Sequence, residues 1–150
     1  MKNLADDAVR DELVARLERL TPAHAAAWGT MNGQQMARHL GDASEAVLKL
    51  RPFASRARGK PSPLRKFLLL HVLRQMPRGI KAGADPAGAA VDPADFGPDL
   101  ARAVSLLQAL AAAPPEALVD RHPVLGPMTR ANWMRWAWLH TDHHLRQFGV

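Results

Sequence analysis

The chain has 150 residues, of which 47% are hydrophobic and 23% charged, a composition typical of a folded protein and not of a disordered segment. It contains no cysteine, which excludes disulfides, thiolate nucleophiles, iron–sulfur clusters and cysteine-based zinc sites. The formal net charge is +6, and any metal ion must be held by carboxylates or by the seven histidines. The length predicts one domain over residues 1–150.

The first half of the chain predicts two helices. In residues 5–20 apolar side chains recur at helical spacing, and Thr21-Pro22 should end that helix. A second helix should begin near Thr30, a residue type that favours the N-cap, and end at about Arg51, before Pro52. The apolar stripe of this second helix comprises Met36, Leu40, Ala43, Val47 and Leu50.

The second half predicts three further helices. Ser62-Pro63 combines an N-cap residue with a proline at the first helical position, and it predicts a short helix over residues 64–76. Residues 77–98 are rich in Gly, Pro, Ala and Asp and predict a long irregular connection. A helix over residues 99–113 and a last helix that Thr129 caps complete the chain. No strand pattern or repeat is evident, so we predict an all-α bundle.

The last helix carries the residues that point to chemistry. A helical wheel places one set of side chains on a single inward face: Trp133, Trp136, His140, His144 and Gln147. The opposite face should meet water and carries Arg135, Asp142 and Arg146. His140 and His144 lie one turn apart, a spacing at which two imidazoles can bind one metal ion.

A third inward histidine, His39, is predicted on the second helix beside its apolar stripe. Burying an unpaired polar group costs about 2–7 kcal/mol, so three inward imidazoles require partners. One divalent cation would satisfy all three lone pairs; the alternative is hydrogen bonding to one another, to Gln35 and Gln147, or to buried water. The pattern favours a metal site made of His39, His140 and His144.

Other side chains are candidates for the pocket around these histidines: Gln35, Trp133, Trp136, His143 and Gln147. His143 lies at the edge of the inward face and is a weaker ligand candidate than its neighbour. His122 precedes a proline in a loop, and we expect it to cap the turn made with Pro123.

Half of the basic residues lie between Ala46 and Ala84, a stretch that contains no Asp or Glu. They are Lys49, Arg51, Arg56, Arg58, Lys60, Arg65, Lys66, Arg74, Arg78 and Lys81. This stretch suits an anion-facing surface or simply an Arg-rich solvated face. It lacks the interleaved aromatic residues of single-strand binders, so we do not predict a nucleic-acid partner. A nucleic-acid or membrane-surface binder that uses residues 49–81 remains a minor alternative.

No targeting or membrane-spanning segment is evident in the sequence. Residues 1–19 carry charges of both signs without an apolar core, unlike a signal peptide. The longest apolar run, Phe67–Leu70, is far shorter than the about 20 residues of a membrane span. We therefore predict a cytoplasmic protein with no membrane partner.

The closing run His140–Gly149, HTDHHLRQFG, resembles the last motif of the DinB-like metalloenzyme superfamily, closest to a subgroup of unknown function. Further segments resemble the same subgroup: Trp28–Met31, Gln35–His39, Ala84-Asp85-Pro86, Asp95-Phe96, and His122-Pro123 with Gly126 and Thr129. The resemblance implies an up-down-down-up four-helix bundle with an extra short helix and a long middle loop. It also implies a divalent ion (Zn, Ni, Fe or Mn) on His39, His140 and His144, and often a homodimer.

Some relatives in this superfamily are transferases or isomerases that use low-molecular-weight thiols. The resemblance therefore implies a metal-dependent enzyme acting on a small molecule, such as a thiol-dependent S-transferase or a hydrolase. Asp42 and Glu45 fall off the core face of the second helix, which disfavours hydrolysis with a carboxylate base. The alternative is a non-catalytic binding or interaction protein whose metal site is structural or vestigial.

Overall fold

The structure is a computed structural model that describes residues 1–53, 60–79 and 91–150. Ala84-Asp85-Pro86 and part of the basic stretch (Arg56, Arg58 and Lys81) lie outside the described residues. The long connection predicted over residues 77–98 is therefore described only at its two ends.

Helices dominate the described residues, as predicted for an all-α chain. Their bounds are Asp7–Leu17 (α1), Gly33–Val47 (α2), Pro63–Phe67 (α3), Phe96–Ala112 (α4) and Arg130–Gln147 (α5). A π-helical turn, Leu68–Val72, continues α3, and 3-10 turns at Pro93–Asp95 and Pro115–Ala117 flank α4. A small antiparallel sheet pairs β1 (Arg121–His122) with β2 (Gly126–Pro127). The strands have two residues each, too few to show an alternating pattern in the sequence.

Capping side chains set where the two site-bearing helices begin. Thr129 and Asn132 form a reciprocal capping box at α5, which confirms Thr129 as the N-cap. The N-cap of α2 is Asn32 and not Thr30, because Asn32 forms such a box with Gln35. The side chain of Gln35 accepts a hydrogen bond from the backbone N–H of Asn32 at 2.9 Å. Gln35 therefore caps the helix one turn before His39.

Several predicted helix ends are wrong for local reasons. α2 ends at Val47, four residues early, because Lys49 adopts a left-handed conformation with a φ of 63° that reverses the chain. Leu50 therefore leaves the apolar stripe and is exposed. The helix after Ser62 ends at Val72 and not near Met76, and α4 begins at Phe96 and not at Asp99.

Helix α5 lies at the centre of the fold. Thirteen of its 18 residues are buried, while α1 and α2 each pack against both α4 and α5. The prediction that Arg135 and Asp142 meet water is wrong, since both are buried. The N-terminal segment, α1 and the π-helical turn cover that face, and a helical wheel carries no information about such a cover.

Two buried charged side chains on the covered face of α5, Arg135 and Asp142, are hydrogen-bonded within the protein. Arg135 donates to the carbonyls of Lys2 (2.8 Å), Leu70 (3.3 Å) and Leu73 (2.6 Å). Its guanidinium also lies over the Trp138 ring, 4.7 Å from the centroid. Asp142 accepts from Arg16 at 2.9 Å and from Arg146 at 2.8 Å. Among the described residues, no helix is long and apolar enough to cross a membrane.

Arg135→Ala should lower the free energy of unfolding by about 2–4 kcal/mol, because it leaves buried carbonyls without donors and removes packing on Trp138. Urea unfolding followed by circular dichroism measures the change. Arg19→Ala, at an exposed position, is the matched control and should shift stability by less than about 0.5 kcal/mol. Equal stability of the two variants would contradict the assigned role of Arg135.

Candidate metal centre

Three histidines from two helices converge in the structure. His39 of α2 meets His140 and His144 of α5, and one ring nitrogen from each lies within 4.8 Å of the others. The Nε2 atoms of His39 and His140 are 3.0 Å apart. Metal–nitrogen distances of about 2.0–2.1 Å place two adjacent ligand nitrogens about 2.8–3.4 Å apart in octahedral or tetrahedral geometry. The three side chains are thus close enough to hold one metal ion.

The surroundings of His140 favour a neutral imidazole. Burial, followed by the neighbouring histidines, holds the pKa of His140 well below its usual value. A histidine must be neutral to offer its lone pair to a metal. An all-nitrogen donor set of this kind suits Zn, Ni, Fe or Mn, and its chemistry does not select among them.

Gln147 fixes which nitrogen of His144 faces the triad. The Gln147 amide N–H donates to the carbonyl of Trp28 at 2.5 Å, which orients the amide oxygen toward His144 Nδ1 at 2.8 Å. Because that oxygen can only accept, His144 carries its proton on Nδ1, and Nε2 is its unprotonated nitrogen. Such supporting hydrogen bonds are usual around metal-bound histidines.

Gly29 makes room for this arrangement, and sequence reasoning did not identify its role. Its φ is +83°, and a Cβ atom placed there would lie 2.6 Å from the Gln147 side-chain nitrogen. The backbone N–H of Ala27 donates to the Gln147 carbonyl at 2.8 Å and ties the same loop to the end of α5. Gly29 itself was the available signal in the sequence, since a glycine in a loop often marks a positive φ or a close backbone approach.

The tryptophans form a wall behind the triad. Trp136 stacks on His140 with ring centroids 4.6 Å apart and planes 11° apart. Trp133 lies behind it, edge-on to Trp136 at 5.4 Å, and donates from Nε1 to the Val119 carbonyl at 2.6 Å. Trp136 therefore orients the His140 imidazole directly, and Trp133 supports Trp136 from the core.

His143 lies outside the ligand cluster. Its Nδ1 is 3.3 Å from the Met76 carbonyl, and its ring meets Trp28 edge-on at 5.8 Å. Burial lowers its pKa, so it is a neutral side chain packed against the triad. The guanidinium group of Arg78 lies over the same Trp28 ring, 4.0 Å from its centroid.

The carboxylates nearest in sequence to His39 are engaged elsewhere. Arg102 of α4 pairs with Asp42 at 2.9 Å and with Glu45 at 2.5 Å. His122 occupies the turn expected of it: its Nδ1 accepts from the backbone N–H groups of Val124 (3.0 Å) and Leu125 (3.2 Å). Burial lowers the pKa of His122 to about 4.

A family model described as "Protein of unknown function (DUF1569)" matches residues 3–149. No curated protein and no solved structure matches the chain.

Gly29→Ala should weaken zinc binding by about 10- to 100-fold, because the new methyl group displaces the Gln147 amide that orients His144. Competition with a chromophoric zinc chelator measures the affinity. Gly79→Ala is the matched control, since Gly79 also has a positive φ (+76°) but a Cβ atom there would meet nothing within 4 Å. Wild-type affinity in Gly29→Ala would show that Gln147 does not support the site.

His122 should make stability depend on pH. Its folded-state pKa of about 4 lies below the usual 6.5, so the unfolded chain binds more protons between these values. The contribution of neutral His122 to the free energy of unfolding is at most about 3 kcal/mol. It is complete above pH 6.5 and is lost as the pH falls toward 4. His122→Asn keeps an acceptor for the two N–H groups and should flatten the profile. Urea unfolding with chelator from pH 4 to 7 measures both proteins; parallel profiles would contradict the prediction.

Proposed function

We propose a function from the site itself, because the chain belongs to the DUF1569 family, which is described only as of unknown function. The protein binds one divalent metal ion through His39, His140 and His144 and is a metal-dependent enzyme. The observation that carries the proposal is the convergence of the three ring nitrogens within 4.8 Å. The metal is Zn, Ni, Fe or Mn.

Each part of the site has a role in this proposal. A divalent ion with three protein ligands keeps positions for a water, a thiolate or a substrate oxygen and acts there as a Lewis acid. Gln147 orients His144, while the stacked Trp136 holds His140 and excludes water from one side. Arg78 lies over the Trp28 ring, which contacts His143, and it supplies positive charge at this edge of the site for an anionic substrate or thiol.

The reaction class follows from what surrounds the histidines. Asp42 and Glu45 pair with Arg102, so neither is available as a general base at the triad. This favours thiol-dependent S-transfer, with a low-molecular-weight thiol as co-substrate, over hydrolysis with a carboxylate base. The resemblance of the closing motif to the DinB-like superfamily supports the same class.

The resemblance extends the proposal to architecture. Residues 1–150 form one DinB-like domain whose helices α1, α2, α4 and α5 follow an up-down-down-up course, and two copies form a homodimer in the cytoplasm. The packing of α1 and α2 against both α4 and α5 supports the bundle.

A non-catalytic protein with a structural metal is the alternative, and one observation favours it. The ligands come from two helices, so a metal ion would fasten α2 to α5 at their buried contact. Binding to the folded state alone adds about 4 kcal/mol of stability at a thousandfold excess of metal over Kd.

We expect elemental analysis of untagged protein to find close to one metal ion per chain. His39→Ala, His140→Ala and His144→Ala should each lose it, because two imidazoles bind far more weakly than three. His71→Ala, at an exposed position outside the cluster, is the matched control and should keep the metal. Metal-free wild-type protein that takes up none of Zn, Ni, Fe or Mn on dialysis would refute the site.

Turnover then separates the enzyme from the structural alternative. The metal-loaded protein should transfer a small thiol to electrophilic acceptors, and the His144→Ala protein should not. A stoichiometric metal with a large melting shift, but with no rate above background across a panel of thiols, would favour the structural role.

A further inference from the structure

An apolar face is exposed on α3 and the π-helical turn that follows it. In the described residues, six large hydrophobic side chains are exposed, and four of them belong to this short element. They are Leu64 (66% exposed), Phe67 (55%), Leu68 (42%) and Val72 (52%). Phe67 and Leu68 lie three and four residues after Leu64, and Val72 lies four residues, about one π-helical turn, after Leu68, so the four side chains share one side of the element. We call these four residues the outer apolar face.

The outer apolar face belongs to the folded structure and not to a loose segment. Leu70, on the inner side of the same element, is buried in the core. Buried Arg135 of α5 donates to the carbonyls of Leu70 and Leu73, and the Lys66 ammonium group donates to the Pro127 carbonyl. These bonds hold the inner side on the body of the protein, so the outer side points away from it.

Cationic side chains flank this face along the chain, and we call them the basic border. They are Lys60, Arg65 and Arg74, all three are exposed, and no acidic residue occurs between Ala46 and Ala84 in the sequence. Within residues 1–53, 60–79 and 91–150, no carboxylate pairs with any of these three side chains. The surface therefore combines an apolar centre with unneutralised cations, and its complement is a surface that is apolar and anionic.

We propose that the outer apolar face docks the protein onto the surface of an anionic lipid bilayer. Leu64, Phe67 and Val72 enter the boundary between headgroups and acyl chains, and the basic border lies on anionic headgroups. The element is far too short to span a bilayer, but an interfacial helix needs only one apolar face. This docking does not depend on the proposed metal chemistry, and it departs from the sequence-based expectation of no membrane partner.

Charge and area favour a bilayer over a second copy of the chain. Two copies that met through this face would bring two positive borders together, which is unfavourable. Four side chains also provide much less than the about 800 Å² that each partner of a standard protein–protein interface buries. A bilayer requires no shape complementarity, and its anionic headgroups balance the border.

Sedimentation of the full chain with lipid vesicles tests the proposal. We expect binding to vesicles of phosphatidylcholine and phosphatidylglycerol in equal parts, and binding at least tenfold weaker to phosphatidylcholine alone. Added salt should reduce the binding, because it screens the basic border.

The double variant Phe67→Ser, Val72→Ser should bind at least tenfold more weakly, since two exposed apolar side chains no longer enter the bilayer. Arg65→Glu should lower binding by at least about fivefold.

Leu50→Ser is the matched control, because Leu50 is equally exposed but lies outside the face, and this variant should bind as the wild type does. Circular dichroism checks that the double variant keeps its helices, and Arg65→Glu tests the border independently of any change in the apolar core. No binding of the wild type to the mixed vesicles would overturn the proposal. So would wild-type binding by the double variant, or loss of a dimer in that variant by light scattering, which would make the face a self-association surface.

Discussion

The burial of most of α5 is the constraint on which the rest of the structure depends. A polar side chain that is buried on this helix needs a partner inside the protein, because an unpaired buried polar group costs several kcal/mol. Arg135 is paired with three backbone carbonyls, and Asp142 with two arginines. On the inward face, His140 and His144 meet His39 of α2, and Gln147 binds His144. In the proposed function, one cation binds all three of these imidazoles.

The two most distinctive stretches of the sequence meet at one residue, Gln147. The loop that carries Trp28 and Gly29 binds Gln147 through a backbone N–H and a carbonyl, and it offers the space that a side chain at position 29 would fill. Gln147 in turn sets the protonated nitrogen of His144. The loop residues therefore matter to the triad although none of them offers a ligand atom to it.

Local periodicity was sufficient to predict the triad, but it could not predict what covers the opposite face of α5. The spacing of His140 and His144 along one helix is a local property, and so is the position of His39 beside an apolar stripe. Whether Arg135 meets water depends on the N-terminal segment and the π-helical turn, which are distant in sequence. Leu50 was misplaced because one left-handed residue, Lys49, ended the periodicity before Pro52. The choice of Asn32 over Thr30 as N-cap required the reciprocal bond to Gln35.

The basic stretch shows how an ambiguous composition gains meaning from the fold. A run of cations without carboxylates fits a solvated face as well as an anion-binding one. The structure adds that α3 is held on its inner side by Leu70 and by bonds from Arg135, so its outer positions contribute nothing to the core. Polar side chains at Phe67 and Val72 would therefore cost the fold little. The proposed docking onto an anionic bilayer gives apolar residues at those positions a role that folding does not require.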